Sequence, residues 1–324
     1  MPNLYLGIDL GGTNIKAGVV TADGKLIARA SMPTGSGPQQ VVEHMVQAAK
    51  HAVAAGAILL EDIESMGIAS PGPLSSGEGI VLRSANLPGW NRVPLRDLLA
   101  DALGRPAYLE NDAKAAAYGE FVAGAGAHEQ IRNFVLFTLG TGVGGGIIYH
   151  GRLLRGMSDS AAEIGHMIVE PEGEACGCGQ RGCLELYASA SRTGKYAQHL
   201  LNAVPQRPSS MRALLESGTP IDSRAVVEHA DAGDELAREV WDRACRFLAI
   251  ACVNTARWLD PQMLALAGGM AAAGESLLKP VLKHFSLLNW KMSETPMQIV
   301  LAKLGNDAGM IGAACLARDA HEQR

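Results

Sequence analysis

Two glycine-rich turns, each set between short apolar stretches, constrain the fold of this 324-residue chain more than any other feature. The first turn, at residues 9–13, separates strand-like residues 4–8 from residues 15–20, and the second turn occupies residues 140–146. Both segments have the pattern of two strands joined by a turn. Because mixed strands and helices follow each of them, we predict two related α/β halves.

Either turn could bind phosphate, since glycines let backbone N–H groups approach an anion and a threonine hydroxyl adds a donor. Two ordinary hairpin turns would have the same composition. Gly140, Gly142 and Gly145 satisfy the G-x-G-x-x-G pattern, but Ile147 opens a strand instead of the helix that a dinucleotide fold requires. A Walker A loop is also excluded, because no Gly-Lys-Ser/Thr sequence closes either turn.

The charge balance excludes some classes of partner. The chain has 28 Lys and Arg against 33 Asp and Glu, for a net charge of −5, and shows no basic cluster. We therefore expect no nucleic-acid partner. No uncharged apolar run approaches the roughly 18 residues of a membrane span, and no basic lead precedes the first apolar residues. We expect a cytoplasmic protein with no membrane partner.

The most specific chemical signal is a cluster of potential metal ligands at His166, Cys176, Cys178 and Cys183. In a reducing compartment, cysteines this close together indicate metal binding more than disulfide formation. One imidazole and three thiolates complete a tetrahedral Zn²⁺ shell with no position for water, so the pattern predicts a structural zinc site. Unligated thiols and a redox pair are the alternatives.

Two aspartates have both a catalytic and a structural interpretation. Asp9 ends an apolar strand beside the first turn, where it could hold Mg²⁺ against phosphates or simply stabilise the turn. Asp112 precedes an alanine-rich helix, where it could cap that helix or act as the general base of a phosphoryl transfer.

Three further groups could contact a carbohydrate. Glu163 and Glu185 bracket the zinc motif, where a rigid scaffold would fix their carboxylates as acceptors for hydroxyl groups. As isolated residues, glutamates are more often solvated surface groups. The loop at residues 86–91 contains an aromatic ring and two amides, a composition that suits carbohydrate contacts and plain loops alike.

Taken together, these motifs resemble the ROK family of sugar kinases, repressors and open reading frames. The resemblance rests on residues 7–16, 138–146, 163–166 and 176–185, and residues 86–90 and 110–113 are most similar to the glucokinase branch.

The resemblance implies an α/β, actin-like ATPase (ribonuclease-H-like) fold, with two domains around an interdomain cleft. The smaller domain would comprise residues 1–112 and 305–324, and the larger domain residues 113–304 with the zinc motif. The implied activity is ATP-dependent phosphorylation of the 6-hydroxyl group of glucose, with ATP, Mg²⁺ and structural Zn²⁺ as cofactors and Asp112 as the base. The implied sugar contacts are Gly72, Asn86, Asn111, Asp112, Glu163, His166 and Glu185. The implied nucleotide contacts are Asp9, Gly11, Gly12, Thr13, Lys16, Thr141, Gly142, Gly268 and Gly269.

Alternatives within the family remain open. A kinase for N-acetylmannosamine, N-acetylglucosamine, fructose or allose would share most polar residues of the sugar site, and polyphosphate could replace ATP. A sugar-responsive regulator would need a DNA-binding helix-turn-helix ahead of the first strand, for which we expect no room before Leu4. The expected partners are a small-molecule sugar and a second copy of the chain in a homodimer.

Overall fold

The computed structural model describes residues 3–83, 87–128, 130–290 and 297–323. The strands are β1 Leu4–Leu10, β2 Asn14–Thr21, β3 Leu26–Pro33, β4 Ile63–Ser70, β5 Leu74–Ser75, β6 Ile80–Arg83, β7 Asn91–Val93, β8 Ala107–Asn111, β9 Phe134–Leu139, β10 Val143–Tyr149, β11 Arg152–Leu153, β12 Met263–Ala267 and β13 Gln298–Leu301. The helices are α1 Gly37–Ala55, α2 Leu95–Leu103, α3 Asp112–Ala123, α4 Glu185–Ala188, α5 Ala190–Ala203, α6 Arg212–Glu216, α7 Ser223–Asp231, α8 Glu235–Leu259, α9 Glu275–Leu288 and α10 Ala308–Glu322.

The first sheet has the strand order β3-β2-β1-β4-β8. β1 is antiparallel to β2 and parallel to β4, and β4 is parallel to β8. Alternate residues of β1, including Leu6 and Ile8, share a buried apolar cluster with residues of α1 and α2. This alternation is what a strand covered on both faces by different helices requires.

The opposite face of the same sheet lies against α10, and glycines make that approach possible. A Cβ atom on Gly7 of β1 would lie 1.9 Å from the carbonyl oxygen of Met310, and one on Gly67 of β4 would lie 1.8 Å from that of Ala313. The predicted final helix, at residues 309–320, is confirmed as α10. Its backbone packs directly on the strands because these positions lack side chains.

The second five-stranded sheet has the order β11-β10-β9-β12-β13, and a small sheet has the order β5-β6-β7. The strand–turn–strand pattern predicted at both glycine-rich turns is present as β1–β2 and β9–β10. Helices α4 to α8 account for most of residues 186–258, as the sequence predicts. The mixed α/β architecture is therefore confirmed.

Contacts divide the chain into two compact units. The first comprises Met1–Leu136, Gly146–Ala162 and Lys303–Arg324, and the second comprises Phe137–Gly145 and Glu163–Ala302. Residues 113–136 belong to the first unit, whereas the sequence-based prediction assigns them to the larger domain. The predicted domain bounds at residues 112 and 304 stay a prediction. In the described ranges, no helix is both long and apolar enough for a bilayer crossing.

Candidate functional site

In the first unit, polar side chains gather where three parallel strands end. Asp9 of β1 lies opposite Ala69 of β4, which in turn lies opposite Glu110 of β8. Asn111 and Asp112 follow Glu110 directly. Because the carboxyl ends of parallel strands meet at one edge of a sheet, this is where α/β folds place ligands. The structure thus brings Asp9 to the same edge as Asn111 and Asp112.

Helix α3 begins at Asp112, and its cap is Asn111. The side-chain oxygen of Asn111 accepts hydrogen bonds from the N–H groups of Ala113, at 3.1 Å, and Lys114, at 3.2 Å. The alternative that Asp112 is the N-cap is therefore wrong. Asp112 occupies the first helical turn, where the helix dipole stabilises a negative charge, and its Oδ1 accepts from the N–H of Ala113 at 2.8 Å. The amide NH₂ group of Asn111 remains a potential donor to a ligand.

The Asp9 carboxyl group has unusual electrostatics. Burial, and then the negative charge of Asp112, raise the pKa of Asp9 to about 6, whereas Lys16 on the neighbouring strand acts to lower it. The negative charges of these two carboxylates repel each other, and a bound cation would relieve that repulsion. Mg²⁺ suits such a position because it is a hard cation that prefers oxygen ligands. Asp9 therefore fits the Mg²⁺ contact that the sequence suggested for it, with the charge of Asp112 nearby.

The first glycine-rich turn is held by the end of β3. Thr34 donates its hydroxyl to the carbonyl of Gly11 at 2.7 Å, and its N–H donates to the carbonyl of Thr13 at 2.9 Å. Gly12 and Thr13 are exposed at the tip of the turn. Because Thr34 holds this hairpin tip in place while its outer residues stay exposed, the tip is suited to binding an anion through its N–H groups. Lys16 belongs to the same hairpin, and its ammonium group donates to the carbonyl of Asn306 at 2.7 Å.

The predicted metal ligands converge in the second unit. One ligand atom from each of His166, Cys176, Cys178 and Cys183 lies within 4.8 Å of all the others. The Nδ1 atom of His166 is 3.7 Å from the sulfur of Cys176, and the sulfurs of Cys178 and Cys183 are 3.6 Å apart. A tetrahedral Zn²⁺ ion with bonds of about 2.0–2.3 Å requires ligand separations of about 3.5–3.8 Å. The cluster therefore fits zinc, and it leaves Nε2 of His166 for another partner.

Glycines shape the loop that carries the cysteines. Gly179 and Gly182 have φ angles of 95° and 70°, which side chains rarely adopt. A Cβ atom on Gly182 would also lie 1.7 Å from the carbonyl oxygen of Glu170. The backbone thus turns back on itself tightly enough to bring Cys183 towards Cys178.

Both acidic residues that bracket the zinc motif are placed near the start of β10. The Oε2 atom of Glu185 accepts from the N–H of Val143 at 3.1 Å. The short turn that carries Glu163 and His166 approaches the same residue, since a Cβ atom on Gly165 would lie 2.0 Å from the carbonyl oxygen of Val143. Glu163 itself is exposed. The structure thus places Glu185 against Val143, and the turn that carries Glu163 and His166 reaches the same residue through Gly165.

The second glycine-rich turn lies directly beside this group. Ser191 donates its hydroxyl to the carbonyl of Thr141 at 2.5 Å, and the N–H of Ala190 donates to the carbonyl of Gly140 at 2.9 Å. Gly268, at φ 87°, comes so close to the end of β9 that a Cβ atom would lie 2.6 Å from the carbonyl oxygen of Leu139. The predicted nucleotide contacts of this unit, Thr141, Gly142, Gly268 and Gly269, therefore belong to one region.

Two predicted sugar contacts remain. Gly72 follows the end of β4 with a φ angle of 89°, on the same sheet edge as Asp9. Asn86 lies outside the described residues. A further residue, Lys114, has no motif in the sequence to mark it, yet it is only 2% exposed in the first turn of α3. Its burial had no signal in the sequence, because lysine in an alanine-rich helix normally faces solvent.

Comparison with known proteins agrees with these motifs. Residues 5–320 match the model of the ROK family. A glucokinase from Halalkalibacterium halodurans is 35% identical over 318 residues, which cover 97% of this chain and 94% of that protein. An N-acetylmannosamine kinase from Citrobacter koseri is 32% identical, with coverage of 97% and 98%.

Solved structures show the same fold. The ROK hexokinase from Thermus thermophilus has a TM-score of 0.82 at 32% identity, covering 99% of this chain and 100% of that chain. A ROK family glucokinase from Streptomyces griseus, in complex with glucose and AMPPNP, has a TM-score of 0.80 at 35% identity, covering 98% and 99%. With a family match over nearly its whole length and the predicted actin-like fold confirmed, the chain belongs to the ROK family.

Proposed function

We propose that this chain is an ATP-dependent glucokinase, which transfers the terminal phosphoryl group of ATP to the 6-hydroxyl group of glucose. The observation that carries the proposal is the similarity over 98% of the chain to a glucokinase bound to glucose and AMPPNP. The chain supplies the polar groups that this reaction needs, in two sets, one in each contact unit.

Asp112 is the proposed general base. As the glucose 6-oxygen attacks the terminal phosphorus, its proton passes to the Asp112 carboxylate, a new O–P bond forms, and the bond to the leaving ADP oxygen breaks. Because Asn111 caps α3, the Asp112 carboxylate is not consumed as the helix cap. Its position at the end of the first sheet supports this role.

The sugar would be held by hydroxyl contacts. Asn111 offers its amide NH₂ group, and the carboxylates of Glu163 and Glu185 accept hydrogen bonds from hydroxyls. His166 offers Nε2, because its Nδ1 faces the cysteine sulfurs. The remaining proposed contacts are Gly72, Asn86 and Asp112.

Both glycine-rich turns and Gly268-Gly269 would hold the nucleotide through backbone N–H groups, with Thr13, Lys16 and Thr141 as additional polar contacts. Asp9 is the proposed Mg²⁺ contact, and a bound Mg²⁺ ion would neutralise charge on the phosphate oxygens. His166 and the three cysteines would hold a structural Zn²⁺ ion that keeps the sugar-binding turn rigid.

The N-acetylmannosamine kinase relative makes an amino sugar the second candidate substrate. A coupled assay with glucose, fructose, allose, N-acetylglucosamine and N-acetylmannosamine, each with ATP or polyphosphate, tests the proposal. We expect the highest kcat/KM for glucose with ATP. A higher value for any other pair would contradict it. The homodimer stays a prediction, which sedimentation of the purified protein would test.

A further inference from the structure

Lys114 is buried, yet its charge has little compensation. Its side chain is 2% exposed, and its ammonium group donates to the main-chain carbonyl of Asp159. In the described part of the chain, Lys114 forms no ion pair. A buried ammonium group is costly unless it is well paired, and a cation in the first turn of a helix also opposes the helix dipole. Either other interactions or a functional role must therefore compensate for the free-energy cost of burying Lys114.

Asp159 is the residue that Lys114 holds. Its φ angle of 56° is in the left-handed region, which costs free energy for any residue other than glycine. Its side chain also has a partner, because Oδ2 accepts from the N–H of Ser76 at 3.0 Å. Asp159 therefore joins helix α3 to the segment that follows Gly72.

A second contact fixes the start of the same loop. The guanidinium group of Arg155 forms an ion pair with Glu110 at 2.7 Å, and the Glu110 side chain is 4% exposed. The other carboxylate oxygen of Glu110 accepts from the N–H of Asn111 at 2.9 Å. The loop also closes on itself, since the N–H of Ala161 donates to the carbonyl of Arg155 at 3.0 Å. Residues 155–161 are thus anchored to the end of β8 and the start of α3.

Each segment in this network continues into a proposed sugar contact. Lys114 lies two residues after Asp112, Ser76 four residues after Gly72, and Asp159 four residues before Glu163. We propose that Lys114 and Asp159 are positioning residues, which fix these three segments so that the sugar hydroxyls meet their partners. This inference rests on the proposed function and adds two residues that act through their neighbours.

Three variants separate positioning from folding. Asp159→Gly removes the acceptor of Ser76 but adopts a φ of 56° without strain, so it should not lower the melting temperature. Asp159→Asn keeps an acceptor oxygen and tolerates the left-handed conformation. Lys114→Met keeps most of the side-chain length but removes the ammonium donor. His150→Gly is the matched control, because His150 has a φ of 50° and lies on an exposed turn.

Steady-state kinetics with glucose and ATP varied in turn give the readout. We expect Asp159→Gly and Lys114→Met to raise the KM for glucose by roughly 10-fold or more and to lower kcat, because displaced contacts penalise the reacting geometry. The KM for ATP should change by less than about 2-fold. Asp159→Asn and His150→Gly should remain close to the wild type.

Unchanged glucose kinetics in both Asp159→Gly and Lys114→Met would overturn the inference. An equal rise in the KM values for glucose and ATP would also overturn it, because that result indicates general loosening of the fold. If the wild type prefers another sugar, the proposed function fails, and the same variants are then assayed with that sugar. A selective effect on its KM would still support positioning by Lys114 and Asp159.

Discussion

The carboxylate of Glu185 lies against the second glycine-rich turn, with its Oε2 atom 3.1 Å from the backbone nitrogen of Val143. Glu185 follows the zinc motif in the chain, whereas Val143 follows a turn proposed to bind phosphate. One hydrogen bond therefore connects a proposed sugar ligand with a proposed nucleotide-binding segment. The contact requires glycine at position 142, because a Cβ atom there would lie 2.1 Å from the same carboxylate oxygen.

Gly142→Ala should therefore displace Glu185. We expect the KM for glucose to rise by roughly 10-fold or more, since the carboxylate must leave its position. Gly140→Ala is the matched control, because a Cβ atom at Gly140 meets nothing within 4 Å. Steady-state kinetics of the two variants check the prediction. Equal glucose KM values in both would contradict the proposed coupling.

Asp112→Asn should separate binding from chemistry. The amide keeps the size of the side chain but cannot accept the proton of the sugar hydroxyl, so turnover should fall by about 10²-fold or more. Calorimetric titration should show retained glucose binding. Asp101→Asn, on the exposed surface of α2, is the control and should keep wild-type turnover. Turnover near the wild-type value in Asp112→Asn would remove the residue from its proposed role.

Part of this site could be predicted from sequence because its signals are local. The zinc ligands lie close together in the chain, and each glycine-rich turn lies between its own two strands. The sequence suggested Asp112 as a possible cap of α3, but the adjacent Asn111 takes that position, since both residue types are good caps.

Tertiary contacts explain what the sequence did not show. The burial of Lys114 depends on Asp159, and the need for glycine at position 142 depends on Glu185; each pair is far apart in the chain. The grouping of residues 113–136 with the first unit has a similar origin. Helix α3 packs on α10 through Gly312, where a Cβ atom would lie 1.7 Å from the carbonyl oxygen of Ala115.

Asp9→Asn should make the protein more stable at neutral pH. The pKa of Asp9 is about 6 in the folded protein, against 3.8 for an aspartate carboxyl group in water. Between these values unfolding releases a proton, so the free energy of unfolding falls as the pH rises, by on the order of 3 kcal/mol in total. This loss of stability is complete well above pH 6 and absent well below pH 3.8.

Urea unfolding at pH 4.5 and 7.5 checks this prediction. The gain in free energy of unfolding for Asp9→Asn over the wild type should be larger at pH 7.5, whereas its turnover should fall because the proposed Mg²⁺ contact is lost. Asp101→Asn serves again as the exposed control, with no such pH-dependent gain. An equal effect of Asp9→Asn at both pH values would show that the Asp9 charge does not destabilise the fold.

Removal of the zinc site should cost stability. We expect metal analysis of the purified protein to find about one zinc ion per chain, since the four ligands form a closed tetrahedral set. Cys183→Ser should lose that ion and lower the free energy of unfolding by on the order of several kcal/mol, because metal binding contributes directly to folding. Cys252→Ser is the matched control: Cys252 is also fully buried, but it lies in α8 outside the cluster, so its variant should retain zinc.

Chelation of the wild-type protein gives a second test. A zinc-free protein with full activity and an unchanged melting temperature would contradict the structural role of zinc. Loss of activity at an unchanged melting temperature would instead indicate catalytic zinc.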